Sequence, residues 1–243
     1  MRTAPITEPQ LARANTLVES LGQELRGFVE EVETGPFAQG ALDGTLPIEA
    51  LRFFVEQTYQ LILNDMANLS IYVAKARDES ELEFFSIMTN AEKLMLDSLY
   101  LLVDGIGIGR DALATSQPEL RTAYRTNHFT RLALYHLPGD IALSILLNFP
   151  VWAGGARRVS QGMKDHYGLG KVVEGTELLD TDVLDRFSQS TQHFLDMAVA
   201  IVATDLTSNE AEARMRTMGR LAVEYEAMVW RSYYNVGLES AEA

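Results

Sequence analysis

The chain contains no cysteine. Disulfides, thiolate zinc sites, iron–sulfur clusters and cysteine nucleophiles are therefore excluded. Histidine is scarce, with only four: His128, His136, His166 and His193. Basic residues are outnumbered, 20 Lys and Arg against 34 Asp and Glu, for a formal net charge of −14. That sign argues against nucleic acid and anionic membranes as partners, because basic patches carry affinity for both. The acidity reads instead as a solubility device. Long apolar runs are missing too. The longest, Ile141 to Ala156, is too short to span a bilayer and contains Asn148 and Pro150. No basic stretch with an apolar core opens the chain, so no signal peptide is expected and the protein reads as cytoplasmic.

Alternating strand patterns are nearly absent, and helical periodicity takes their place. Thr7 and Gln10, with Pro9 between them, form a capping box that starts a helix running to about Val32. Thr34-Gly35-Pro36 stops it, and PFAQGALDGTLP reads as a glycine-punctuated turn region. Pro47 opens a long helix whose stretch Leu51–Ala76 has no glycine or proline. Apolar residues cover most of its circumference, the mark of a buried helix. Gln57, Thr58, Asn64, Asp65, Asn68 and Tyr72 run through it at spacings of three, four and seven. A buried polar line needs partners, water or a ligand, so this helix is expected to wall an internal polar pocket.

Further helices are expected from about Glu81 to Asp104, from a Ser116/Glu119 cap to about Leu134, and from Pro138 onward with a kink near Pro150 and Gly154-Gly155. The GIGIG run at 105–109 closes a helix instead of opening one, so it is a C-cap and turn and not a phosphate loop. A loop at 168–180, a helix from Asp180 or Thr181 to about Asp205, and a last helix from Thr207 to about Tyr234 complete the chain, with a frayed tail from Leu238. No linker interrupts residues 1–243, which read as one all-α domain of seven or eight helices.

The candidate chemistry lies on these helices. Glu226 sits among Tyr225, Met228, Val229 and Trp230. An apolar setting raises a carboxyl pKa and suits it to general acid catalysis; the competing readings are a glutamate on the solvated face, or one paired with an arginine such as Arg220. Glu92, His193 and Asp196 form a possible part of a carboxylate and imidazole iron site. The Glu-x-x-His pairs of di-iron bundles are absent, and separate surface or hydrogen-bonded residues compete with that reading. Phe54, Trp152 and Trp230 are suited to stacking a flat ligand or to ordinary core packing. His128 and Tyr124, one turn apart, either line the pocket or belong to the core.

Several stretches together resemble the TenA/thiaminase-II family and the wider heme-oxygenase-like group with PqqC and CADD. They are PFAQGALDGTLPIEALRFFVEQTYQLILNDMANLSIYVAKA, RTNHFTRLAL, ILLNFPVWAGGARRVSQGMKDHYG and YEAMVWRSYY, in the family's order over about Pro36 to Tyr234. The resemblance implies a heme-oxygenase-like bundle with an internal pocket for a small-molecule ligand, and a homodimer or higher homo-oligomer. It places Glu226 on the family's essential glutamate and Trp230 on the tryptophan that follows. It also places Thr58 on the pyrimidine-binding aspartate, Leu61 on its accompanying tyrosine, Arg125 on the tyrosine before Thr-Ser-His, and Pro150 or Val151 on the nucleophilic cysteine. The cysteine route to thiamine hydrolysis is thereby excluded. For the CADD-like iron enzymes, Glu92 and Asp196 match, while Gln192 and Val199 stand where histidines are wanted. No histidine precedes His128, so the heme ligand of heme oxygenases is missing.

The expected function is a metal-free enzyme acting on a small heterocyclic or aromatic compound. Glu226 is its acid/base, and Phe54, Thr58, Asp65, Tyr72, Tyr124, His128, Trp152 and Trp230 form its pocket. The alternatives are a CADD-like iron oxygenase and a non-catalytic binding protein.

Overall fold

The computed structural model describes residues 6–187 and 192–242. Among them it holds eleven helices and no strand beyond an isolated Val172–Leu179 bridge. They are α1 (Glu8–Glu24), α2 (Arg26–Thr34), α3 (Pro36–Leu42), α4 (Ile48–Lys75), α5 (Glu79–Ile106), α6 (Arg110–Thr115), α7 (Leu120–Tyr135), α8 (Pro138–His166), α9 (Asp182–Phe187), α10 (Gln192–Asp205) and α11 (Asn209–Glu242). The all-α expectation holds, with more segments than the seven or eight expected. None of the described helices is long and apolar enough to cross a membrane.

Local chemistry accounts for the boundaries. The Thr7 amide donates to Gln10 Oε1 at 2.9 Å and opens α1. Asp78 accepts from the Glu81 amide at 3.0 Å and opens α5. Gly107, at φ +73°, closes α5 in the left-handed region that glycine enters without strain. Two caps fall elsewhere than expected. Glu119 itself caps α7, accepting from the Arg121 amide at 2.7 Å, while Ser116 accepts a hydrogen bond from Gln60. Ser208, one residue past Thr207, accepts from the Ala211 amide ahead of α11.

Other differences have packing causes. The first helix divides at Leu25 into α1 and α2. The PFAQGAL stretch is a helix, α3, because Phe37, Ala38 and Ala41 bury one face of it against α8. Segment 110–115 forms the short helix α6 around buried Leu113. α11 continues past Tyr234 to Glu242. Residues 188–191, which the expected helix to Asp205 would cross, lie outside the described residues.

α8, not α4, is the most deeply buried helix. It packs against α11, α10, α3, α2 and α9, and nearly all its residues from Pro138 to Asn148 are buried. It is continuous through Pro150, whose ring lies at an exposed position. Of the Gly154-Gly155 pair, Gly155 serves packing: a Cβ there would collide with the Trp230 ring. Further along the helix, a Cβ on Gly162 would collide with the Ala41 carbonyl. α4 packs against α5, α11 and α7. Between α8, α4 and α11, Phe37, Phe54, Trp152, Trp230 and Tyr233 make one aromatic cluster, with ring centroids 5.0–6.3 Å apart.

Candidate functional site

A cavity of about 160 Å³ lies between α4, α5, α7 and α8, with Arg186 of α9 also lining it. α4 supplies the largest share: Thr58, Leu61, Ile62, Asp65, Asn68, Leu69 and Tyr72. These recur at helical spacing, so the polar line Thr58–Asp65–Tyr72 and its apolar neighbours share one face. α5 adds Met88, Ala91, Glu92 and Met95, α7 adds Arg125 and Phe129, and α8 adds Ile145, Asn148, Phe149 and Trp152.

The polar end is organised by Arg125. Its guanidinium is 5% exposed and donates through one terminal nitrogen to both Asp65 carboxylate oxygens, at 2.6 and 2.8 Å. Its Nε donates to Glu226 Oε2 at 3.1 Å. Asn148 Nδ2 donates to the same Glu226 oxygen at 3.2 Å. The guanidinium also lies over the Phe129 ring, 4.2 Å from its centroid. One cation thus joins carboxylates from α4 and α11 through α7. Burial raises the Glu226 pKa, with Arg125 and Asn148 pulling the other way. Burial is also the main cause that raises Glu92, to about 8; Asp65 adds to the rise and Arg125 opposes it. Glu92 Oε2 is buried with no hydrogen-bond partner.

Most of the remaining wall groups are engaged. The Tyr72 hydroxyl donates to the Phe129 carbonyl at 3.1 Å, and burial pushes its pKa well up. The Thr58 hydroxyl donates to the Phe54 carbonyl at 2.8 Å, and Asn68 donates to Asn64 at 2.8 Å.

The structure brings Thr58, Asp65, Tyr72 and Trp152 to the cavity wall. Glu226 is fully buried directly behind that wall, reached through Arg125 and Asn148. Phe54 and Trp230 belong to the aromatic cluster beyond Trp152. His128 is buried among Tyr225 and Phe129, and its Nε2–H donates to the Met218 carbonyl at 3.2 Å. Burial lowers its pKa to about 4, so the ring is neutral. Tyr124 is not brought to the cavity; it is 46% exposed, one position away from Arg125, which occupies the inward face.

The proposed iron ligands are separated. Glu92 lines the cavity, but the His193 side chain is 71% exposed, 4.0 Å from Glu83, and exposed Asp196 accepts from Gln192. Among the described residues no three His, Asp or Glu side chains are grouped to hold a metal ion. The donor set does not fit an iron centre.

Sequence reasoning missed Asn148 and gave Arg125 no role. The available signal was a polar residue inside an apolar helical run (Asn148), and an arginine three residues before His128 on the same helix (Arg125).

Comparison with known proteins places this geometry. The model of the TENA/THI-4/PQQC family matches residues 23–236. No curated protein sequence matches significantly. A TenA homologue from Pseudomonas syringae pv. tomato is 11% identical with a TM-score of 0.76, over 97% of this chain and 98% of that one. The TenA homologue from Pyrococcus horikoshii OT3 is 14% identical with a TM-score of 0.70, over 90% and 98%. A domain from Shewanella denitrificans described as having a heme oxygenase-like fold is 16% identical with a TM-score of 0.52, over 88% and 92%. At these identities the likeness is one of fold. The family match covers most of the sequence, and the chain belongs to the TENA/THI-4/PQQC family.

Proposed function

We propose that this protein is an enzyme that binds a single-ring heterocyclic or aromatic compound between α4, α5, α7 and α8 and carries out proton-transfer chemistry on it. The observation that carries the reading is a mostly apolar cavity whose wall brings Asp65, Glu92 and Arg125 together. Its volume, about 160 Å³, is close to that of an engineered cavity known to take benzene, and well below that of a drug-sized site. Leu61, Ile62, Met88, Met95 and Trp152 would cage the ring, and the charged end would meet its polar substituents. Glu226, behind the wall, is in this reading a positioning residue that fixes the orientation of Arg125 and Asn148. Cysteine chemistry is excluded by composition.

One observation favours the non-catalytic alternative: Arg125 engages both oxygens of Asp65, the carboxylate on the cavity wall, and holds Glu226 behind it through Oε2. Mass spectrometry of small molecules released on denaturation separates the two readings. A ring compound is expected, turned over when resupplied to the protein and about a hundredfold more slowly by Asp65→Asn. Return of that compound unchanged points to a binding protein. Release of no ring compound, with no turnover of any single-ring candidate, contradicts both.

A further inference from the structure

We propose that Glu92 is the specificity-determining residue of the cavity: its carboxylic acid offers a hydrogen-bond donor and an acceptor side by side, complementary to a neutral ring with a carbonyl beside an N–H, as in a lactam. This rests on the reading of the cavity as a single-ring site.

The wall polar groups differ in what they have left to give. Both Asp65 oxygens accept from Arg125, the Arg125 Nε is spent on Glu226, and the Tyr72 and Thr58 hydroxyls donate to main-chain carbonyls. Two buried wall atoms have no partner: Glu92 Oε2 and Asn148 Oδ1. The second can only accept. Glu92 is 8% exposed, and a buried polar atom left unmatched is costly, so a ligand that satisfies it gains correspondingly.

The form of the carboxyl decides which ligand that is. An ionised carboxylate has only acceptors, whereas a protonated one has a donor and an acceptor. The charged groups facing Glu92 are Asp65 on α4 and Arg125 on α7, and the first disfavours a second negative charge. From α9, Arg186 lines the cavity and pairs with Asp182 at 3.5 Å; from α10, Asp196 is exposed and bonded to Gln192. Burial outweighs the help from Arg125, so with a pKa of about 8 the side chain keeps its proton at neutral pH. A site that hydrogen-bonds its ligand rejects analogues lacking the matching groups far more strongly than a purely apolar site does.

The test is calorimetric titration of the full chain with 2-pyridone, a single-ring lactam, and with benzene, which has neither donor nor acceptor. The protein should bind 2-pyridone at least about tenfold more tightly well below pH 8 than well above it, while benzene binding stays constant. Glu92→Gln, whose amide also pairs a donor with an acceptor, should keep 2-pyridone binding and lose its pH dependence. Glu92→Leu should weaken 2-pyridone by about tenfold or more and leave benzene binding intact, which also shows that the variant is folded. Unchanged 2-pyridone affinity in Glu92→Leu, or a pH dependence that persists in Glu92→Gln, overturns the inference. If benzene binds and 2-pyridone is indifferent to Glu92, the single-ring reading stands and this one falls. If neither ring binds the wild-type protein, both fall.

Discussion

Arg125 carries the electrostatic weight of the site with one guanidinium shared between Asp65 and Glu226. Removing one side of a buried ion pair strands the other, which is far more damaging than replacing the whole pair. Arg125→Met should therefore lose about 3–5 kcal/mol in urea unfolding, whereas a triple Asp65→Asn/Arg125→Met/Glu226→Gln variant should recover part of it. A loss below about 1 kcal/mol would place the network near solvent and contradict its burial. His128 gives a prediction with a definite sign. Its pKa falls from 6.5 to about 4 on folding, so between those values the unfolded chain binds more protons than the folded one. The stabilisation from the neutral ring is present above pH 6.5 and is lost as pH falls toward 4, by roughly 3 kcal/mol. In His128→Gln the pH profile of thermal unfolding should flatten across that window. The apolar neighbours of Glu226 left burial and a solvated face both open in the sequence, and its place behind the wall was not legible at all. Arg125 meets partners 60 and 101 residues away, and no local spacing encodes such a meeting. A single step along a helix turns about 100°, which is why Arg125 faces inward and neighbouring Tyr124 faces out.

At the scale of elements, close backbone packing explains both what was readable and what was not. α3 lies so near α8 that Gly162 has no room for a Cβ beside the Ala41 carbonyl. Gly162→Ala should lower stability by about 1–3 kcal/mol or more, because backbone cannot yield as a flexible side chain can. Gly22, exposed in α1 with nothing within 4 Å of an added Cβ, should respond oppositely. Gly22→Ala is expected to stabilise by about 0.5–1 kcal/mol, read from the same denaturation curves. The long helices could be found from periodicity and caps, since Thr7, Asp78 and Gly107 act locally. α3 could not, because PFAQGAL has turn-like composition and becomes helical through burial of Phe37, Ala38 and Ala41 against another helix. The same blindness to tertiary packing hid the place of α8 in the sequence. Of the polar line on α4, Thr58, Asp65, Asn68 and Tyr72 lie on the cavity wall, whereas Gln57 and Asn64 bond to Glu119 and Thr130; the most deeply buried helix is α8, whose glycines seat Trp230 and α3.

For the whole molecule, the family's fold is kept, and its cavity wall carries Thr58, Leu61 and Arg125. The outer face of α7 leaves Leu120, Tyr124 and Leu134 about half exposed, and Tyr135 79% exposed. Such apolar surface is a candidate for self-association. Sedimentation of the wild-type protein is expected to give a dimer or larger species, and Tyr135→Arg to shift it toward monomer; a monomer at all concentrations would contradict this. Occupation of the α4–α5–α7–α8 cavity by one small ring is read out by methyl NMR of the methionines during titration with benzene. Met88 and Met95, two of nine methionines, line the cavity. Saturable shifts confined to these two, and abolished when Ala91→Phe fills the space, are the predicted result. Shifts spread over the other methionines, or shifts that persist unchanged in Ala91→Phe, would contradict it.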